Sequence, residues 1–440
     1  MFVVSLVVFR CSAQISSSSV WFKSFGFERN GSYSFNFASS IASEKIIIVS
    51  TSKEYKSVPK SSLTSSYFCS PEKYNTFSNF HVFDMKNNSE YSWNGTVNTA
   101  DTYYAIVTTC SNENAQYNLI LLLRNPSTFL DIRWLKAFFT KPLILSLMTI
   151  LSCLTLTNIF NHYALRIKIH VSISILLLLT VSSYTISYYK LIELDKSDYN
   201  GILNILSIVF DSSQQFFLIS TIVLISKGYC IVVEDLKLDD YMKSSLFCLT
   251  YVIIVQAIQY MEGALWIPLL YLLLLCSLYL LAKEIISSIE YTFLSIIGHL
   301  MLITNQNIDS SSTPIFIQYK KYSMFRISII IYAGLNLILI VSPSAFEFDY
   351  WISDLFRQTI DFLIILVLCW LLRLDGNNPE KYLSLSVPNR KEVLISDIID
   401  LDIYSTQISS GRHLWIEGMD LPPQPFLVNT KSLKEMEDIE

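Results

Sequence analysis

Charge is scarce in this sequence. Asp, Glu, Lys and Arg make up 16% of its 440 residues, against roughly 25% in soluble globular chains. That shortfall argues against an ordinary water-soluble enzyme. Glycine is also rare, at 11 residues, which excludes collagen-like and glycine-rich disordered chains. The 5 histidines are scattered and no Cys-x-x-Cys occurs, so no metal ligand set is expected. Gly-x-Ser-x-Gly, His-Glu-x-x-His and phosphate-loop motifs are absent, so the expectation is a non-enzyme without a cofactor. No basic face is present, and nucleic acid is not an expected partner.

What the chain has instead is apolar residues, at 52%, and a mean hydropathy of +0.41. The net charge of −5 is unevenly placed. Residues 374–440 alone carry 12 acidic and 6 basic side chains, so the remainder is close to neutral. The sequence divides accordingly into four parts.

The first part is residues 1–13. Phe2–Phe9 is an apolar run, and Cys11-Ser12-Ala13 offers the small residues a signal peptidase reads. A signal peptide cut after Ala13 is the expectation. The alternative is a buried strand. Export is also indicated by Asn-x-Ser/Thr sequons at Asn30, Asn87 and Asn94, all before residue 100.

The second part, residues 14–126, reads as a lumenal or extracellular β-sandwich. Tyr33, Phe35 and Phe37 alternate with Ser34 and Asn36, and further short runs are separated by Ser, Asn, Lys and Pro clusters. Cys69 and Cys110 are the cysteines left in this part once Cys11 departs with the signal. In an oxidising compartment they are expected to pair, with two free buried thiols as the alternative.

The third part, residues 142–373, holds seven apolar spans: 143–160, 169–189, 202–225, 245–260, 266–282, 327–341 and 356–372. Each approaches the roughly 20 residues needed to cross a bilayer. The stretch 285–303 carries Glu290 and His299 and reads as an amphipathic, interfacial extension of the fifth span rather than an eighth. With the N-terminus lumenal, the cytosolic loops hold nine basic residues and the lumenal loops two, as the positive-inside rule requires.

Polar side chains inside these spans are the candidate site. Asn204, Ser207, Asp211, Gln214 and Gln215 fall on one stripe of the third span. Asp354, Arg357, Gln358 and Asp361 do so in the seventh, where Arg357 and Asp361 stand one turn apart. Gln256 and Gln259 share a face just before Glu262, and Asn336 lies in the sixth span. Asp211 and Asp361 sit at similar depths, roughly 15 Å from the lumenal helix ends. Such groups serve either as glue between helices or as the lining of a polar cavity for an ion, a lipid headgroup or another ligand.

The fourth part, residues 374–440, is acidic and punctuated by prolines. It reads as a disordered cytosolic tail. Tyr382-Leu383-Ser384-Leu385 fits a tyrosine sorting signal, and Leu414-Trp415-Ile416 is an isolated apolar patch that can dock a cytosolic partner.

Four motifs carry a resemblance. They are Gly228-Tyr229 after the third span, Met261-Glu262-Gly263 between the fourth and fifth, Lys321–Arg326 before the sixth, and Trp351–Arg373 followed by Asn377-Asn378 and Tyr382. In this order they resemble the lung seven-transmembrane receptor family, the GOLD-domain seven-helix (GOST) proteins, and most of all its Golgi, Elkin-like branch. Leu374 replaces that family's proline, and Gln214 and Gln215 stand where animal relatives carry basic residues. The rhodopsin-type receptor signatures are missing. The resemblance implies a lumenal GOLD-like β-sandwich above a seven-helix transmembrane bundle in Golgi or endosomal membranes, with the plasma membrane as the alternative. It implies a role in vesicular protein trafficking, with membrane phospholipid in the bundle, a lumenal cargo protein and cytosolic sorting factors as partners. A cation channel or channel regulator is the first alternative, and a seven-helix signalling receptor the second.

Overall fold

The computed structural model describes residues 8–15, 21–39, 45–51, 81–84, 90–109, 115–163, 167–196, 201–229, 236, 238–260, 267–345, 350–374, 392–394, 413–415, 421–422 and 426–428. The expected disulfide partners Cys69 and Cys110 lie outside these residues, as do Asn87, Met261-Glu262-Gly263 and the sorting motif at Tyr382.

Eight strands come first: β1 (Val8–Ile15), β2 (Trp21–Phe27), β3 (Ser32–Ser39), β4 (Lys45–Thr51), β5 (His81–Asp84), β6 (Glu90–Thr96), β7 (Asp101–Thr109) and β8 (Ala115–Arg124). They form two four-stranded sheets, ordered β1-β8-β3-β6 and β2-β7-β4-β5, with every neighbour antiparallel. Alternation sets the buried rows. Tyr33 and Phe35, with Leu121 and Leu123, are buried in the first sheet; Phe25, Phe27 and Tyr103 are buried in the second. One apolar face per sheet is what two layers packed face to face require.

The segment expected to be a signal peptide ends inside β1. That strand pairs with β8 from Val8 opposite Leu122 to Ile15 opposite Ala115. The folded chain therefore uses Val8–Ala13 as most of an edge strand. Asn30 and Asn94, two of the three sequon asparagines, are exposed. Asn30 sits in the tight β2–β3 turn with φ +68°, a conformation asparagine tolerates.

Seven long helices follow: α1 (Ala137–Asn161), α2 (Lys168–Asp195), α3 (Gly201–Ser226), α4 (Leu238–Tyr260), α5 (Ile267–Asn305), α6 (Pro314–Ala345) and α7 (Tyr350–Leu371). Each packs on the next, and α7 returns to α1, closing a ring. The first six are long and apolar enough to cross a membrane. α7 has 22 residues and carries Asp354, Arg357 and Asp361, and it is not among those six. Large apolar residues such as Leu143, Ile150, Leu154, Ile253, Leu272, Ile330, Ile338 and Leu363 stay exposed around the outside. A belt of that extent is stable against lipid rather than water. The chain is thus a multi-pass membrane protein with a small N-terminal β region.

One expectation about the helices is met and one about the tail needs correction. Residues 285–303 extend the fifth helix, as expected. They continue α5 without a break, and Ile289, Phe293, Ile296, Ile297, Leu300 and Ile303 are buried in the main core between α3, α6 and α7. Their apolar side chains have a protein surface to cover, which is why Glu290 and His299 do not push the segment aside. At 39 residues, α5 is about 58 Å long, well beyond the roughly 30 Å hydrocarbon layer.

The tail, expected to be disordered, is structured in part. β9 (Ile308–Asp309) precedes α6, and β10 (Glu392–Leu394), β11 (His413–Leu414) and β12 (Phe426–Val428) come from the tail. β11 pairs with β9, and β10 pairs with β12. Acidic average composition conceals short apolar patches that find a backbone edge to pair with.

One joint fixes the β region to the bundle. The fully buried Asn125 donates from Nδ2 to Gly26 O (3.2 Å) and Leu130 O (2.7 Å), and its Oδ1 accepts from Glu28 N–H (2.7 Å). Asp131 caps the helical turn Ile132–Leu135 by accepting from Arg133 N–H at 2.9 Å. Gly26 is required by close approach. A Cβ there would stand 2.4 Å from Ile132 and 2.6 Å from the Asp131 carboxylate. Thr128 Oγ1 donates to Asp195 at the end of α2. The joint therefore ties β2, the linker and the α2 end together.

Candidate functional site

Chain direction places the site. α1, α3 and α7 start at the end of the bundle nearest the β region, while α2, α4 and α6 finish there. The polar residues of these segments therefore collect in the half of the bundle below the β region.

Its centre is a charged cluster across three helices. Lys141, one turn into α1, places Nζ 2.9 Å from Asp354 on α7 and 2.7 Å from Ser187 Oγ on α2. Lys141 and Asp354 are 8% and 5% exposed, so this is an ion pair out of solvent. Asp354 also accepts from Gln358 Nε2 (3.0 Å) and has Arg357 Nη2 at 3.6 Å. Arg357 thus pairs with Asp354 on the preceding turn. The expected partner, Asp361, lies within its electrostatic reach. Tyr184 on α2 donates to Gln358 O at 3.5 Å.

A second group lies between α2 and α3. Ser183 Oγ donates to Asp211 Oδ1, and Ser207 Oγ donates to Oδ2 at 3.4 Å. Lys190 Nζ donates to Asn204 Oδ1 at 2.7 Å. The two groups are coupled, since Asp361 feels both Arg357 and Asp211, with the Gln214 amide beside it. Lys141, Lys190 and Arg357 oppose Asp211, Asp354 and Asp361, so the cluster holds both charge signs in balance.

Several polar atoms beside this cluster are buried and unsatisfied. Among the described residues, Gln215 Oε1 and both polar atoms of the Gln256 amide have no hydrogen-bond partner. Such groups are costly to bury unless water or a ligand satisfies them. Asn336 turns back on its own helix, donating to Tyr332 O at 2.9 Å. Tyr332 is itself within electrostatic reach of Asp361. The Gln259 side chain and Glu262 lie outside the described residues.

Sequence reasoning missed Lys141, Ser183 and Ser187, and placed Lys190 in a loop. Lys141 looked like a flank because it precedes the apolar run at Leu143. The available signal was an acidic residue, Asp354, at the matching height of the helix that closes the ring.

At the opposite end of the bundle the motif residue Tyr322 meets the helix end that Gly228 terminates. Gly228 ends α3 with φ +69°. Its N–H bonds Ile225 O (2.9 Å) and Tyr229 N–H bonds Leu224 O (3.0 Å), a glycine-terminated helix stop. The fully buried Ser226 carbonyl there accepts from Tyr322 OH (2.7 Å) and Thr292 Oγ1 (3.0 Å). Lys227 pairs with Glu284 at 2.8 Å. These contacts lock α3 to α5 and α6.

No family model matches this chain, and no curated protein matches it.

Proposed function

We propose that this protein is a non-enzymatic membrane-trafficking protein of the Golgi and endosomes, of the GOLD-domain seven-helix kind. In this reading the β region is lumenal and GOLD-like, α7 is the seventh span, and the C-terminus is cytosolic. The polar half of the bundle below the β region binds a lipid headgroup or a group of a cargo protein.

One observation carries the binding reading: the balanced cluster of Lys141, Lys190, Arg357, Asp211, Asp354 and Asp361 adjoins buried amide atoms that the protein leaves unpaired. Pure glue between helices would use up its donors and acceptors. A site with both charge signs and spare amides instead suits a zwitterionic or hydrogen-bonding head. The test is native mass spectrometry of protein purified in mild detergent. A phospholipid should remain bound, and Asp211→Asn with Asp361→Asn should reduce its retention at least tenfold. A lipid-free wild type that also captures no lumenal protein removes the reading. Exclusive residence at the cell surface removes the trafficking role.

A second reading, a cation channel or channel regulator, is favoured by the nearness of Asp211 and Gln214 to Asp361. Purified protein in liposomes should then pass cation current, altered by Asp361→Ala. Current no greater than in empty liposomes removes it.

A further inference from the structure

The end of the bundle away from the β region holds a different kind of site. Asn307, with φ +61°, turns the chain out of α5 and presents its carbonyl beside the short edge Ile308–Asp309. The tail lies along that edge. His413 and Leu414 run parallel to Ile308 and Asp309. His413 N–H donates to Asn307 O (3.0 Å), and two residues on Trp415 N–H donates to Ser312 Oγ (2.9 Å). Alternate N–H groups of an extended segment are thus read by the connection between α5 and α6.

Contact continues further along the tail. Leu421 packs on the main core, and Pro422 is buried. Pro422 O meets His299 Nε2 at 2.7 Å, a bond the ring donates. β12 then lies against α5 and pairs with β10. His299 is the polar residue that made the α5 extension look unsuited to burial, and the tail supplies its partner.

The geometry points to the α5–α6 connection as a strand-addition site for an extended peptide, kept filled by the chain's own tail through residues 413–415 and 421–422. Main-chain pairing along a short edge, plus a pocket for one anchor residue, is the usual chemistry of such sites. Here the anchors are Leu421 and Pro422. The occupant is the tail itself, acting as a plug. Another protein's extended segment ending in a leucine–proline pair reaches this end of the bundle only by displacing it. Tethering favours the plug, since a linked segment competes at an effective concentration of about millimolar.

The test cuts the tail after folding. A protease site is inserted between Ser409 and Ser410 of the full chain, and the purified protein is cleaved in detergent. The fragment 410–440 should stay bound on gel filtration. Excess synthetic peptide Gly411–Val428 should release it, and a scrambled peptide should not. Labelled peptide should bind the emptied protein at least tenfold more tightly than the uncleaved chain, and Ser312→Ala should weaken fragment retention at least threefold. Loss of the fragment on cleavage with no rebinding of peptide overturns the site. Equal peptide binding to emptied and uncleaved protein overturns the plug.

Discussion

Lys141 Nζ and the Asp354 carboxylate meet at 2.9 Å between the first and last helices of the ring, both nearly out of contact with solvent. Their pairing closes the bundle and anchors the charged cluster. Breaking a buried pair by removing one partner costs about 3–5 kcal/mol, because the other charge is left uncompensated. Lys141→Met should therefore lower the thermal midpoint in detergent by several degrees. Lys141→Met with Asp354→Asn should recover part of that loss, since it removes a buried carboxylate left with only Arg357 at 3.6 Å and the Gln358 amide. Additive losses in the double variant would show that the pair is not a unit.

The spans were legible in the sequence because lipid burial leaves a local mark: long apolar runs at Leu143, Ile169 and Ile202 became α1, α2 and α3. The Tyr33–Phe37 alternation was legible for the same reason, as β3. What depended on distant partners was not. Hydropathy reads Lys141 as a helix flank because it cannot see Asp354, more than 200 residues later. His299 argued against burial until Pro422 supplied its bond. The pairing of Val8–Ile15 with β8 was not legible, because its partner lies more than 100 residues later.

Asn125 should prove irreplaceable at the joint. Its amide donates to Gly26 O and Leu130 O and accepts from Glu28 N–H. Asn125→Ala orphans all three backbone groups, at about 1–3 kcal/mol for each that stays buried. Asn125→Asp should rescue little, because a carboxylate keeps the acceptor but faces two carbonyls without a proton to offer. Hydrogen exchange should show faster exchange in β2 and in the 125–131 linker for both variants. Unchanged protection in Asn125→Asp would refute this assignment of donors.

Two glycines should respond in opposite directions to the same methyl group. Gly228 holds φ +69° at the end of α3, where a side chain costs about 1–2 kcal/mol. Gly334 lies inside α6, and a Cβ built there meets no atom within 4 Å. Alanine at an open helical position gains about 1 kcal/mol over glycine. Gly228→Ala should lower the unfolding midpoint and Gly334→Ala should hold or raise it. A drop of equal size in both would mean that the left-handed turn is not the reason for Gly228.

The Ser226 carbonyl offers a sharper test of how the far end of the bundle is held. It accepts from Tyr322 OH at 2.7 Å and from Thr292 Oγ1 at 3.0 Å, and Ser226 is fully buried. Tyr322→Phe alone leaves one donor in place, so it should cost only about 0.5–1.5 kcal/mol. Thr292→Val alone should behave likewise. Together they leave a buried carbonyl at a helix terminus with neither side-chain donor, and the desolvation penalty appears only then. The double variant should therefore lose more than the sum of the singles, by about 1 kcal/mol of coupling. Thermal unfolding of the four proteins in one detergent gives that difference directly. Strict additivity would mean that the two hydroxyls act independently and that α5 and α6 are held to α3 by side-chain packing around Phe293, Tyr319 and Phe325 alone.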